Sequence, residues 1–141
     1  MQYESRISRG EGKRLSYVKD LGNHGIPLVP YQNRTLWETP SGQVVGIGYC
    51  SEHSGWSWPY FLGLPLRPMD VAVALCETAY GQLLDFVLPR DFLARIWDSL
   101  GEGARQKKLH IRWSQGEWWL QLPGRSHQSI SSYLHAITNL N

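Results

Sequence analysis

Cysteine is scarce: Cys50 and Cys76 are the only two in 141 residues. Each stands in an apolar, strand-like stretch. Buried free thiols in a reducing compartment are expected, with one disulfide between adjacent strands as the alternative. No four-ligand zinc pattern is present. Charge imbalance is also small, at +2, which permits nucleic acid as a partner without demanding it. Long hydrophobic runs are missing, and the longest is far too short to cross a bilayer. The stretch MQYESRISRGEGKR carries no apolar core for a secretory signal. A soluble, cytoplasmic protein with no membrane partner is the expectation.

Signatures of catalysis are equally thin. The serines show no nucleophile-elbow pattern. Gly46–Gly48 lies within a strand, and no helix start follows it, so it is not a phosphate loop. His24, His110, His127 and His135 are scattered, with no i,i+4 pair. Glu52-His53 is the best local candidate for acid–base or metal chemistry, in a loop with Trp56 and Trp58. Neighbours on an extended chain point in opposite directions, which favours solvent-exposed loop residues. Asp85 stands inside an apolar strand. An exposed edge, a cation partner or a function each accounts for a carboxylate there, the edge most simply.

What is present is a core and many aromatic rings. Apolar residues make up 42% of the chain, enough for one domain's core, and seven are Trp. The alternation in Val71–Cys76 is apolar on both sides, so this strand is expected to be central and covered on both faces. Leu83–Val87 follows it across a turn. Met1–Gly12 reads as a flexible basic arm, with Arg6, Arg9, Lys13, Arg14 and Lys19 making this end the most basic. Leu15, Val18 and Leu21 predict a short helix stopped by Gly22. Ile26–Pro30 reads as an edge strand. Thr35–Glu38 and Gln43–Cys50 read as a hairpin turned by Pro40-Ser41-Gly42. In the second of these, Val44, Gly46 and Gly48 leave one face open to a backbone or a ligand.

Tyr60–Leu64 reads as a further strand. Pro89-Arg90-Asp91 opens a helix with Phe92, Leu93, Ile96, Trp97 and Leu100 on one face and Gly101 after it. Gly101–Lys108 reads as a charged loop. Leu109–Trp113 and Trp118–Leu122 form a second hairpin. A last helix is predicted from about Ser129 to Asn139, because Ile130, Tyr133, Leu134 and Ile137 make a stripe. Arg105, Lys107, Lys108, His110, Arg112 and Trp113 mix positive charge with rings, a combination that suits a phosphate backbone and a stacked base. A solvated hairpin edge explains the same residues.

The order GEGKRLSYVKDLGNHG, IPLVP, hairpin, YFLGL, DVAVALC, DFVLP and helix resembles the restriction-endonuclease-like fold of the PD-(D/E)XK nuclease superfamily, over about Gly10 to Leu100. The resemblance implies nucleic-acid cleavage with Mg²⁺ or Mn²⁺ held by carboxylates. By position, Glu38 falls near that family's Asp, and Glu11 matches the acidic residue often seen on its first helix. The Glu-x-Lys falls on Ile47-Gly48-Tyr49, where neither residue is present. Glu52, three residues beyond Tyr49, stands as a migrated carboxylate.

The expectation is a single-domain α/β (α+β) protein with a central mixed sheet of about five to seven strands flanked by helices. Its expected function is nucleic-acid binding, to DNA or RNA, by a catalytically degenerate restriction-endonuclease-like domain. Lys13, Arg14, Arg105, Lys107, Lys108, Arg112 and Trp113 are its candidate contacts. An active metal-dependent endonuclease would use Glu38, Glu52 and His53, with Glu38 and Glu52 holding the metal. A protein-interaction or homodimerisation module would use exposed Trp56 and Trp58.

Overall fold

The computed structural model describes residues 2–32 and 36–141, and the side chains from residue 9 onward within them. Thr35, expected to start a strand, and the Arg6 side chain lie outside the described residues. In chain order the elements are α1 (Gln2–Asn23), β1 (Val29–Pro30), β2 (Leu36–Glu38), β3 (Val44–Ser51), β4 (Tyr60–Pro65), β5 (Val71–Glu77), β6 (Leu83–Leu88), α2 (Arg90–Ile96), β7 (Gly101–Gly103), β8 (Gln106–Ser114), β9 (Glu117–Leu120) and β10 (Gln128–Ser129). Short 3₁₀ turns cover Trp97–Ser99, Ser131–Tyr133 and Ile137–Leu140.

The chain is a single α+β domain, but it builds two sheets where one was expected. The first runs β1-β2-β3-β5-β6, and the second β10-β9-β8-β4 with β7 beside β8. In the first sheet β3 and β5 are parallel, and β2–β3 and β5–β6 are antiparallel hairpins. The second sheet is antiparallel throughout.

β5 is the central strand that its composition predicts. Every one of its residues is buried, because both faces are covered. Ala72, Ala74 and Cys76 face the second sheet, with Leu62, Leu64, Leu109, Ile111 and Leu120 in the same cluster. Val71, Val73 and Leu75 join Val45, Ile47 and Val87 beneath Tyr17 and Leu21 of α1. Three layers result: α1, the first sheet and the second sheet. α2 adds Phe92, Leu93 and Ile96 to the core between the sheets. Cys50 and Cys76 are partners in the parallel register and remain free thiols, with Sγ atoms 3.9 Å apart.

The glycine face of β3 does what its open surface suggests. A Cβ on Gly48 would lie 2.6 Å from Leu62 Cδ1 and 2.8 Å from the Gly63 carbonyl oxygen. β4 therefore crosses β3 at a distance that only glycine permits.

Three local expectations are corrected. Helix α1 includes the stretch read as an arm, beginning at Gln2. Residues 101–108 are no charged loop. They turn through Ala104 and Arg105, both at positive φ, to pair β7 with β8. The expected C-terminal helix is absent. Ile130, Tyr133 and Leu134 pack into the core between the sheets, whereas Ala136, Ile137 and Leu140 pack into the cluster under α1. One helical stripe faces one layer, so a segment serving two layers must break between them. The break falls at His135, with φ +57°. Among the described residues no helix is long and apolar enough to cross a membrane.

Candidate nucleic-acid interface

Among the described residues no further layer covers the outer face of the second sheet. Alternation along β8 directs Gln106, Lys108, His110, Arg112 and Ser114 outward, and Lys107, Leu109 and Ile111 inward. Phe61 of β4 lies opposite His110 in register. Their rings stack at 4.6 Å with planes 21° apart. The Arg112 guanidinium lies over the Trp58 ring, 4.1 Å from its centroid, and His127 meets the same indole edge-on at 4.8 Å. Trp119 of β9 is opposite Arg112. Burial, and then the Lys108 charge, hold His110 below the usual histidine range, so at neutral pH it is a neutral stacking ring. Glu117, at the far end of the face, is occupied by a bond from Ser129 Oγ at 2.7 Å.

Beyond the β4 edge this face meets a cavity of about 710 Å³ at the C-terminal ends of β3 and β5. Arg9, Tyr49, Glu52, His53, Trp56 and Phe61 are among its lining residues. His53 and Trp56 stack in parallel at 3.7 Å. Glu52 Oε1 accepts bonds from the Tyr60 hydroxyl at 2.7 Å and the Ala79 amide at 3.1 Å, which tie the loop to the β5–β6 turn. Burial, then the bond to Glu52, push the Tyr60 pKa up.

Under α1 the same end of the sheet holds a buried carboxylate, Glu77, only 3% exposed. Arg9 approaches its Oε1 at 3.0 Å and Lys13 its Oε2 at 3.5 Å, and the Tyr49 hydroxyl donates to Oε1. Burial pushes the Glu77 carboxyl up. The bonds from Tyr49 and Arg9, with the Arg9 and Lys13 charges, outweigh it, and the carboxyl ends below its usual range. Tyr49 is pushed up to about 12, by burial first and then by Glu77.

A second buried carboxylate was the one singled out by its apolar strand. Asp85 is on the edge strand β6, yet it is buried, because α1 and the C-terminal segment cover it. The Tyr17 hydroxyl donates to its Oδ2 at 2.7 Å, and His135 Nδ1 pairs with Oδ1. His135 N also donates to Asp85 O at 2.7 Å. Arg9, Lys13, Tyr17 and Leu21 recur every fourth residue and so form one stripe of α1. This stripe meets both carboxylates and the core. No sequence motif joins Asp85 to His135, 50 residues away. The apolar run around Asp85 was the only signal.

The expected site residues divide among separate places. Glu38 pairs with Val44 at the start of β3, and Glu52 follows Ser51 at its end. At about 3.3 Å per residue the two are separated by roughly 25 Å, so Glu38, Glu52 and His53 do not share one site. Among the described residues no three His, Cys, Asp or Glu side chains gather to hold a metal ion. The donor set does not fit Mg²⁺ or Mn²⁺.

Of the basic set, Lys108 and Arg112 lie on the open face and Arg105 at the turn beside it. Lys107 points inward, is 5% exposed, and pairs with Glu102 at 3.0 Å beside the Trp97 ring. Trp113 points to the opposite side from Arg112 and meets Trp118. Lys13 is committed to Glu77, and burial lowers the pKa of half-buried Arg14 on the same helix. Phe61, His110, Trp58 and His127 complete the face. Phe61 was legible only as a strand residue, and Trp58 only as a loop ring for a protein partner, since their partners come from β8 and the 123–127 loop.

No family model, curated protein or solved structure matches the chain.

Proposed function

We propose that the protein binds single-stranded nucleic acid across the outer face of its second sheet. The observation that carries this is a cation paired with a flat ring on one open face, Arg112 over Trp58, next to the Phe61–His110 stack and with Lys108 two residues from His110 along β8. Rings supply stacking surface for unpaired bases, and Lys and Arg supply phosphate contacts. A duplex hides its base faces and would leave the rings without a role. Cleavage is not part of this reading, because the carboxylates expected to hold a metal lie at opposite ends of β3.

The test is an oligonucleotide titration at increasing salt. With about three phosphates neutralised by Lys108, Arg112 and Arg105, log K is expected to fall against log salt with a slope of about −2. Binding with no salt dependence would remove the phosphate contacts. It would favour a protein partner at the same rings.

A further inference from the structure

We infer that Cys50 and Cys76 form a two-thiol oxidation site: hydrogen peroxide entering the cavity at the ends of β3 and β5 oxidises Cys50, and Cys76 then closes a disulfide across the two strands. This stands apart from the nucleic-acid reading and does not depend on it.

The two cysteines are 26 positions apart in sequence. The fold makes them neighbours, as partners in the parallel ladder of β3 and β5. Adjacent strands lie about 4.8 Å apart, inside the window of about 4.4–6.8 Å between the Cα atoms of a disulfide. Both side chains belong to the core cluster between the sheets, and the Sγ atoms are 3.9 Å apart. A bond needs the sulfurs about 2 Å closer. Each cysteine is the last residue but one of its strand, so a side-chain turn and a small shift at the strand ends bring them together.

The two thiols differ in access. Cys50 lines the cavity of about 710 Å³ with Arg9, Glu52 and His53. It keeps 8% of its surface exposed, and Cys76 keeps none. Burial, and then the bond to Cys50, push the Cys76 thiol up, which makes it a poor target for peroxide. Its part is to resolve the oxidised Cys50 that it already touches. In the first step the Cys50 sulfur attacks one peroxide oxygen and the O–O bond breaks. The departing hydroxide takes the thiol proton and leaves as water, and Cys50 becomes a sulfenic acid. In the second step the Cys76 sulfur attacks the Cys50 sulfur and the S–O bond breaks. The hydroxide takes the Cys76 proton and leaves as a second water. Two thiols are oxidised to one disulfide, and one peroxide is reduced to two waters. The new bond closes a loop that contains the 52–59 segment and β4, so oxidation ties the cavity's own loop to the central strand.

The experiment treats the full chain with hydrogen peroxide under native conditions and follows free thiols together with the intact mass. Both thiols are expected to disappear together within one chain and to return with dithiothreitol. In Cys76→Ala the reaction is expected to stop at the sulfenic acid, which a cyclic 1,3-diketone captures on Cys50. In Cys50→Ala, modification of Cys76 is expected to be at least about tenfold slower than that of Cys50 in Cys76→Ala, because oxidation follows exposure. Both variants place a small apolar side chain in an apolar cluster, and the unaltered protein tests the disulfide without them. Persistence of both thiols in the unaltered protein, or disulfides formed only between chains, would overturn the site. Capture of a Cys50 sulfenic acid in the unaltered protein with Cys76 still free would overturn the pairing. Equal rates at Cys50 and Cys76 in the two variants would overturn the cavity as the route of entry.

Discussion

Gly48→Val is expected to cost about 3 kcal/mol or more, at the upper end of overpacking losses, against a total of about 5–15 kcal/mol for a typical domain. A Cβ at this position meets Leu62 Cδ1 at 2.6 Å, which a side chain can relieve by turning. It also meets the Gly63 carbonyl oxygen at 2.8 Å, which moves only if β4 moves. β4 is tied to β8 along its whole length, so the two sheets must separate or the strand must leave its ladder. Gly46→Ala is expected to cost less. Its nearest contact is Met69 Sδ at 2.6 Å, the end of a flexible thioether. Gly22→Ala in α1 meets nothing within 4 Å and is expected to stabilise by about 0.5–1 kcal/mol. Urea unfolding of the three variants gives the order. Equal midpoints for Gly48→Val and Gly22→Ala would mean that the sheets do not cross as described.

Glu77→Gln has the second-largest expected effect, a loss of about 2 kcal/mol at neutral pH, the scale of a hydrogen bond to a buried charge. It leaves Arg9 and Lys13 facing an uncharged amide. The pH dependence separates the charge from the packing. The folded carboxyl lies below its usual range, so the unfolded chain holds more protons as the solution is acidified. Its contribution is complete above the ordinary Glu value of about 4.3. It is lost as pH falls through the lower folded value. Unfolding midpoints across this acid range are expected to fall less steeply in Glu77→Gln than in the unaltered protein. Identical slopes would show that Glu77 is not held as a charged group.

Much of the first sheet was legible in the sequence, for reasons that are local. The double apolar alternation of Val71–Cys76 requires cover on both faces. Gly46 and Gly48 leave a gap that something must approach. Pro89 and Asp91 mark a helix start wherever the chain goes next.

What was not legible depends on partners distant in sequence. The spacing of Ile130, Tyr133, Leu134 and Ile137 fits a helix. It also fits a segment that passes around the β6 edge and feeds two cores, and only the layers decide between them. Lys107 and Lys108 look alike as neighbours on a charged hairpin. The strand alternation places one against Trp97 and Glu102 and the other on the open face. Glu38 and Glu52 were joined by a family resemblance. The length of β3 holds them apart. For the candidate site, the basic and aromatic texture of β8 and the Trp56 and Trp58 rings of the 52–59 loop were visible, but not that Trp58 and Phe61 of β4 come together with Arg112 and His110 on one face.

The central claim is that the open face of the second sheet, and not the basic helix α1, contacts nucleic acid. Affinity for one single-stranded oligonucleotide at low salt, measured for Arg112→Glu and for Lys19→Glu, tests it most directly. Both substitutions change net charge equally, and they lie in different layers. Arg112→Glu is expected to lose at least about tenfold in affinity, and Lys19→Glu no more than about twofold. Equal losses would contradict the assignment by showing attraction to overall charge alone. A loss confined to Lys19→Glu would move the interface to α1.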